Sequence, residues 1–273
     1  MLDLTFKFSQ HSLTDFVECP RRFYLRYVVK QVWPLVETDP LGLDPFERQL
    51  YLWRGVMLHR WIERYWLGIP PSTSDDPELN LWWVRFLATD FSDLPEQRLP
   101  ELALVAAIED HQQQPRLLYA RFDLLASEPG RAIIIDWKTL RGARPPRYQT
   151  FATRMQTRIY QYVLTTAGAA YNHSDPFAPE HIRMRYWLAN FPDTPWIEVP
   201  YSEEQYARDR EWLQRLIGDI TRREGEAQFE MTSDERNCMY CTYRTLCRRT
   251  QALPPAQEQD QWVDIEAITE LDY

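Results

Sequence analysis

A mixed α/β fold, one sheet with helices packed around it, is the class the sequence predicts. Three observations lead there. Strand-like runs follow one another between residues 102 and 138, helical stretches lie before and after them, and all four cysteines sit at the two ends of the chain, where one shared site would tie those ends together.

Ser12-Leu13-Thr14-Asp15 has the form of a helix start, with side-chain oxygens able to take the free amides of a first turn. Pro20 opens a second helical segment after a break at Cys19, because proline suits a first helical turn. From Pro20 to Val29 aromatic and cationic residues mix. Arg21 and Arg22 can grip phosphates there while rings stack on bases, and equally Phe23, Tyr24 and Tyr27 can form the buried face of an amphipathic helix. A proline-bearing stretch from Pro34 to Pro45 leads to a helix over about 46–68, on which Gly55, His59 and Glu63 share one face. After a polar loop from Pro70 to Pro77 comes a Trp-rich helix from Leu79 to Thr89.

Three strands over 102–108, 117–125 and 132–138, split by Gln/Pro and Glu-Pro-Gly turns, read as an antiparallel meander. A helix over 148–166 puts Gln156 and Tyr160 one turn apart, strands follow at 181–189 and 196–200, and an amphipathic helix runs from Ser202 to about Arg223. No repeat or linker divides the chain, so residues 1–252 read as one domain and 253–273, rich in Gln and acid, as a loosely attached tail.

With 44% of its 273 residues hydrophobic, the chain can bury a sizeable core. No apolar run reaches the roughly 18 residues of a membrane span, and the first residues lack the plan of a signal peptide; a cytoplasmic protein with no membrane partner is expected. A net charge of −9 argues against a protein that coats nucleic acid by bulk attraction, but leaves room for a local basic groove around an acidic site. Among 31 basic residues only Lys7, Lys30 and Lys138 are lysines, so a lysine at the end of an apolar strand calls for a reason.

Cys238, Cys241 and Cys247 form C-x2-C-x5-C, and Cys19 lies far upstream. Four thiolates around an iron-sulfur cluster, a structural zinc site and four ordinary buried thiols are all open readings; a single distant fourth ligand is less typical of zinc, which favours paired C-x2-C knuckles. Arg244, Arg248 and Arg249 nearby would favour thiolates and offset a cluster's negative charge. A disulfide framework is disfavoured in a chain of this size without a secretory signal.

Asp123 ends one expected strand, and Asp136-Trp137-Lys138 ends the next, with Asp136 and Lys138 on one face and Trp137 on the other. An apolar strand such as Ile133-Ile134-Ile135 seldom ends in two ionisable groups on one side unless they pair or serve a site, since burying unpaired charge is costly.

Several stretches together resemble a known family: Ser12-Leu13 through Cys19-Pro20, Gly55 to Glu63, Arg121 to Leu125, Ile135 to Thr139, Gln156 to Tyr160, and the cysteine trio ending at Cys247. The chain resembles the PD-(D/E)XK nucleases of the RecB type, in the iron-sulfur branch that includes the AddB nuclease domain and CRISPR adaptation nucleases, over nearly its whole length. The resemblance implies a restriction-endonuclease-like α/β fold, a mixed sheet flanked by helices, closed by an N-to-C terminal clasp in which Cys19, Cys238, Cys241 and Cys247 hold a [4Fe–4S] cluster. It implies Mn²⁺ or Mg²⁺ held by His59, Asp123, Asp136 and the Trp137 carbonyl, with the imidazole favouring Mn²⁺. Lys138 would orient or deprotonate the attacking water, and Gln156 and Tyr160 would face the site. Arg154 and Arg158, preceded by Arg141, Arg144 and Arg147, would grip phosphate; Glu63 and Glu101 are expected as supporting groups beyond the ligands.

The activity so implied is metal-dependent DNA hydrolysis, processing single-stranded ends as an exonuclease in repair, recombination or CRISPR adaptation. With no G-x-x-x-x-G-K-[ST] loop, unwinding or integration would fall to a helicase or a CRISPR integrase in trans. Two competitors are a non-catalytic DNA-end-binding partner that keeps the clasp, and a zinc-stapled interaction module.

Overall fold

The apolar runs form one six-stranded sheet in the computed structural model, which describes residues 2–33, 45–69, 73–110, 112–140, 142, 144–238 and 241–249. The strands are β1 (Lys7–Phe8), β2 (Gln97–Glu109), β3 (Pro115–Glu128), β4 (Arg131–Lys138), β5 (Ile182–Leu188) and β6 (Trp196–Pro200). The expected meander is β2, β3 and β4, antiparallel throughout. β2 pairs along nearly all of one edge of β3, while β1 and β4 share the other edge in tandem. The sheet is mixed, because β1 runs parallel to β3 and β4 parallel to β5. The second parallel pair needs a crossover, which the helices between β4 and β5 supply.

The helices are α1 (Gln10–Glu18), α2 (Pro20–Phe23), α3 (Pro45–Trp66), α4 (Pro77–Leu87), α5 (Tyr148–Ala152), α6 (Met155–Ala167) and α7 (Glu203–Thr221), with a π-helical turn over Tyr24–Val28 after α2. One face of the sheet is covered by α1, α2, α6 and α7 through Leu13, Phe16, Phe23, Ile159, Val163 and Leu213. The other is covered by α3 and α4 through Leu58, Trp61, Ile62, Trp82 and Phe86, packed on Ile133, Ile135, Trp137 and Trp187. Alternation along β4 sends Ile134 to the first layer and Ile133, Ile135 and Trp137 to the second, leaving Asp136 and Lys138 on the α6 side.

Three expectations need correction. The first helix is capped by Ser9, whose hydroxyl accepts from the Ser12 amide while Ser12 bonds back, so Ser12 is the third helical residue of a capping box and not the cap. The helix over 148–166 is two helices, because Arg154 takes an extended backbone between α5 and α6. Asp123 lies within β3, not at its end. The proline-bearing stretch before α3, Arg141 and the tail 253–273 fall outside the described residues, apart from Pro45, the first residue of α3.

β2 and β3 change which face they present at one shared point. In β3, Leu118, Ala120 and Phe122 pack into the α6 layer, as does Leu125, whereas Leu124 and Ala126 pack into the α3 layer. In β2, Leu102, Leu104, Ala106 and Ile108 pack into the α6 layer, and beyond Glu101 so does Leu99. The inward parity thus slips by one residue at Asp123 and at Glu101. Glu101 carries φ +52, a left-handed backbone that costs a non-glycine residue about 1–3 kcal/mol and persists only where packing enforces it. The ladder register leaves Glu101 directly across from Asp123, between the Pro100–Leu124 and Leu102–Phe122 pairs.

Candidate active site and cysteine cavity

Two groups of polar side chains meet on either side of the Trp137 peptide. Its N–H donates to Asp123 Oδ2 at 2.8 Å, and its carbonyl accepts from His59 Nε2 at 2.8 Å. A carbonyl can only accept, so Nε2 carries the proton, and Nδ1 is turned to Asp123 Oδ2 at 3.5 Å. His59, Asp123 and Glu101 form the first group, with one candidate ligand atom from each lying within 4.8 Å of the others. A metal-binding histidine characteristically gives its other N–H to a carbonyl or carboxylate, the arrangement His59 has with Trp137.

Asp136, Lys138 and Gln156 form the second group. Lys138 Nζ lies 2.9 Å from Asp136 Oδ2, and Gln156 Nε2 donates to Asp136 Oδ1 at 2.6 Å, with all three side chains almost wholly buried. The break before α6 lets that helix begin beneath the end of β4, so that Gln156 steers Asp136. Lys138 also stands 5.9 Å from the ring centre of Tyr186, whose hydroxyl bonds Thr157. Burial raises the Tyr186 phenol, as does the Asp136 charge, so it stays a neutral wall of the site.

Tyr160, one turn after Gln156, is buried with its ring edge on Phe122, the neighbour of Asp123. Arg154 stacks its guanidinium over Phe151 at 4.4 Å. Arg158 is committed inward, bonded to the buried Asp209 at 2.6 Å and lying over Trp212 at 3.6 Å. Arg21 pairs with Glu226 and donates to the Phe229 carbonyl, and Arg22 pairs with Asp15 at 2.7 Å and with Glu18.

Charge is distributed in the site by pairing. Burial works to raise the Asp123 carboxyl, but His59, the Trp137 N–H and Lys138 outweigh it and hold Asp123 below its ordinary range. Burial and then the Asp123 charge push Glu101 up to about 7, with Arg121, 3.3 Å away, and His59 acting against them. Glu101 is the residue whose place the sequence undersold, having been expected only as a supporting group. No motif marks it, because its closeness to Asp123 is set by strand pairing and by a left-handed backbone.

A carboxylate-rich set with one imidazole and one ammonium is the donor set of a hard divalent cation beside a polarising lysine. The family model that matches the chain is that of the PD-(D/E)XK nuclease superfamily, aligned over residues 7–248. The chain belongs to the PD-(D/E)XK nuclease superfamily. Asp123 on β3 and Asp136-Trp137-Lys138 on β4 both lie within the matched residues. The solved structure of SSO0001 is similar at 17% identity, covering 90% of this chain and 87% of that one, with a TM-score of 0.45. No curated protein matches the chain. Among the described residues no helix is long and apolar enough to cross a membrane.

Cys19, Cys238, Cys241 and Cys247 line one cavity of this PD-(D/E)XK domain, together with Arg22 and Arg249. Among the described residues no three of these sulfurs lie within 4.8 Å of one another. Burial raises the Cys238, Cys241 and Cys247 thiols, and Arg249, Arg22 and Arg21 respectively work to lower them. The cavity is closed by bonds that need no sulfur: Asn237 Nδ2 to the Glu18 carbonyl at 3.0 Å, the Tyr243 hydroxyl to the Gln31 carbonyl at 3.0 Å, and Trp33 Nε1 to Thr245 Oγ1 at 2.9 Å.

Proposed function

We propose that the protein is a divalent-metal-dependent deoxyribonuclease that processes single-stranded DNA ends as an exonuclease, of the RecB type, with an iron-sulfur clasp. The observation that carries the reading is the convergence about one residue, Trp137, whose backbone bonds Asp123 and His59 and whose chain neighbours Asp136 and Lys138 pair with each other. His59, Asp123 and Glu101, whose ligand atoms lie together, would hold Mg²⁺ or Mn²⁺, joined by Asp136 once an oxygen leaves Lys138 or Gln156, with the Trp137 carbonyl orienting His59 or adding a ligand through its second lone pair. A bound dication neutralises phosphate charge and makes a hydroxide available near neutral pH.

The chain's own residues do the rest. Gln156 holds Asp136 in one orientation, and Asp136 in turn fixes the Lys138 ammonium. Lys138 then has N–H donors beside the place where a water and a phosphate oxygen would meet, and stabilises the negative charge that grows on the phosphoryl oxygens as water attacks and the 3′-oxygen leaves. Tyr186 stands against Lys138, and with both acid and base almost wholly buried their charges act in a low-dielectric pocket.

The four cysteines lining one cavity, with the C-x2-C-x5-C spacing and one distant fourth thiol, support the iron-sulfur reading. Helicase or integrase partners, and a role in repair or CRISPR adaptation, fit an end-processing enzyme that has no nucleotide-binding loop of its own.

The test is cleavage of single-stranded DNA by anaerobically purified protein in Mn²⁺, Mg²⁺ and EDTA, beside iron and sulfide analysis. Metal-dependent cleavage that is lost in Asp136→Asn and Lys138→Met supports the reading. Binding of DNA ends without cleavage in either metal makes the protein a non-catalytic end binder, and one equivalent of zinc without iron removes the cluster.

A further inference from the structure

Each of the three carboxylates at this site has a different base. Asp136 has Lys138 at 2.9 Å, Asp123 has His59 at 3.5 Å, and Glu101 has Arg121 at 3.3 Å. The three bases differ sharply in exposure, at 2% for the Lys138 side chain, 22% for His59 and 56% for Arg121. A dication drawn to these carboxylates competes with their present partners. Lys138 is enclosed and His59 is held by Trp137, so only Arg121 has solvent to turn into when its carboxylate is taken. Arg121 lies two residues from Asp123 on β3, and it is a guanidinium, the group whose planar fork fits a phosphate.

We propose that Arg121 is a metal-released phosphate clamp, paired with Glu101 in the metal-free protein and turned to the DNA backbone beside the scissile bond once a divalent cation occupies Glu101. This rests on the nuclease reading and adds an order of events to it: metal enters first and creates part of the binding surface, so DNA and metal bind with positive coupling. Glu101 has the conformation such a role needs. Its left-handed backbone turns the carboxylate to Asp123 and His59, and Arg121 meets it there from the neighbouring strand.

The experiment is the affinity of the full-length protein for a single-stranded oligonucleotide, measured by fluorescence anisotropy at fixed ionic strength in EDTA and in Ca²⁺. The parent should bind about tenfold tighter in Ca²⁺, the size of one charge-assisted contact. Glu101→Gln should bind tightly already in EDTA and gain little from Ca²⁺. Arg121→Gln should bind weakly in both and show a salt slope shallower by about 0.7, one phosphate fewer on a single strand. Arg121→Lys, which keeps the charge, should recover part of the Ca²⁺ response. Because removing any acid helps an anion bind, the double variant Glu101→Gln/Arg121→Gln decides the matter. If it keeps the gain of Glu101→Gln, bare charge is the cause and the clamp is overturned; if the gain vanishes, the clamp stands. A parent that cleaves DNA while Arg121→Gln retains its full Ca²⁺ response overturns the clamp alone, and a parent that shows the coupling without cleaving overturns the nuclease reading alone.

Discussion

His59 Nε2 lies 2.8 Å from the carbonyl oxygen of Trp137, and the amide of that same Trp137 bonds Asp123 at 2.8 Å. The backbone of one residue, through its two successive peptide groups, therefore places a proton on the imidazole Nε2 and sets the rotamer of the carboxylate. In metal-free protein, ¹⁵N spectra of His59 should show a proton on Nε2, held by the Trp137 carbonyl, whether or not Nδ1 also carries one toward Asp123. A spectrum of the Nδ1–H tautomer would mean that the bond to Trp137 is not formed in solution. His59→Ala should weaken Mn²⁺ binding more than Mg²⁺ binding, read by titration calorimetry, because the lost donor is nitrogen.

Lys138 and Asp136 are a buried pair, and taking away one partner strands the other. Asp136→Ala and Lys138→Met should each cost about 3–5 kcal/mol in urea unfolding, in addition to abolishing cleavage. The double variant Asp136→Asn/Lys138→Met should be more stable than either single variant and just as inactive. Additive losses in the double variant would show that the two charges do not act as a pair.

Glu101 gives the metal-free protein a pH dependence of definite sign. Unfolded it titrates near 4.5, and folded it titrates at about 7, raised by burial, Asp123 and Glu63 and opposed by Arg121 and His59. Between those values the folded chain holds a proton that the unfolded chain has lost. Its contribution to stability is therefore fully present below pH 4.5 and is lost as pH rises through 7. Urea midpoints in EDTA across pH 4.5–8 should fall over that window, and Glu101→Gln should flatten the fall. Divalent metal needs the carboxylate, so its affinity should climb through the same window.

The residues around the cysteine cavity should hold the C-terminal segment in place without any cluster. Cys19→Ala should lose iron and lower the melting temperature, yet leave residues 241–249 protected from limited proteolysis, since Asn237, Tyr243 and Thr245 keep their bonds to Glu18, Gln31 and Trp33. Tyr243→Phe in that background should cost about 1 kcal/mol more. Rapid cleavage there in Cys19→Ala alone would show that the thiols carry the attachment.

What could be read in advance follows a physical divide. Periodicity marks β3, β4, β5, β6 and α7 within a few residues, because each has one face committed to a core. Asp136 and Lys138 stood out because charge at the end of Ile133-Ile134-Ile135 breaks that pattern. Glu101 did not, since an acid after a proline looks like any turn residue until the strand opposite is known. The break between α5 and α6 was hidden too: no glycine or proline marks it, and Arg154 adopts its extended backbone in the folded context alone. Arg21, Arg22 and Arg158 looked like phosphate ligands by type, and only the fold reveals the carboxylates each of them answers.

The cavity at the two ends of the chain also bears on synthesis. Cys19 leaves the ribosome long before Cys247, and the helix pair around it has no partner for its thiol until nearly the whole of the described chain has emerged. A chain released early would have Asp123, Asp136 and Lys138 on a sheet whose last seal is missing, with an exposed cysteine and the unanswered carbonyls of Glu18 and Gln31 to mark it. The bonds across the cavity thus form last in synthesis, after every acid of the site has already been made.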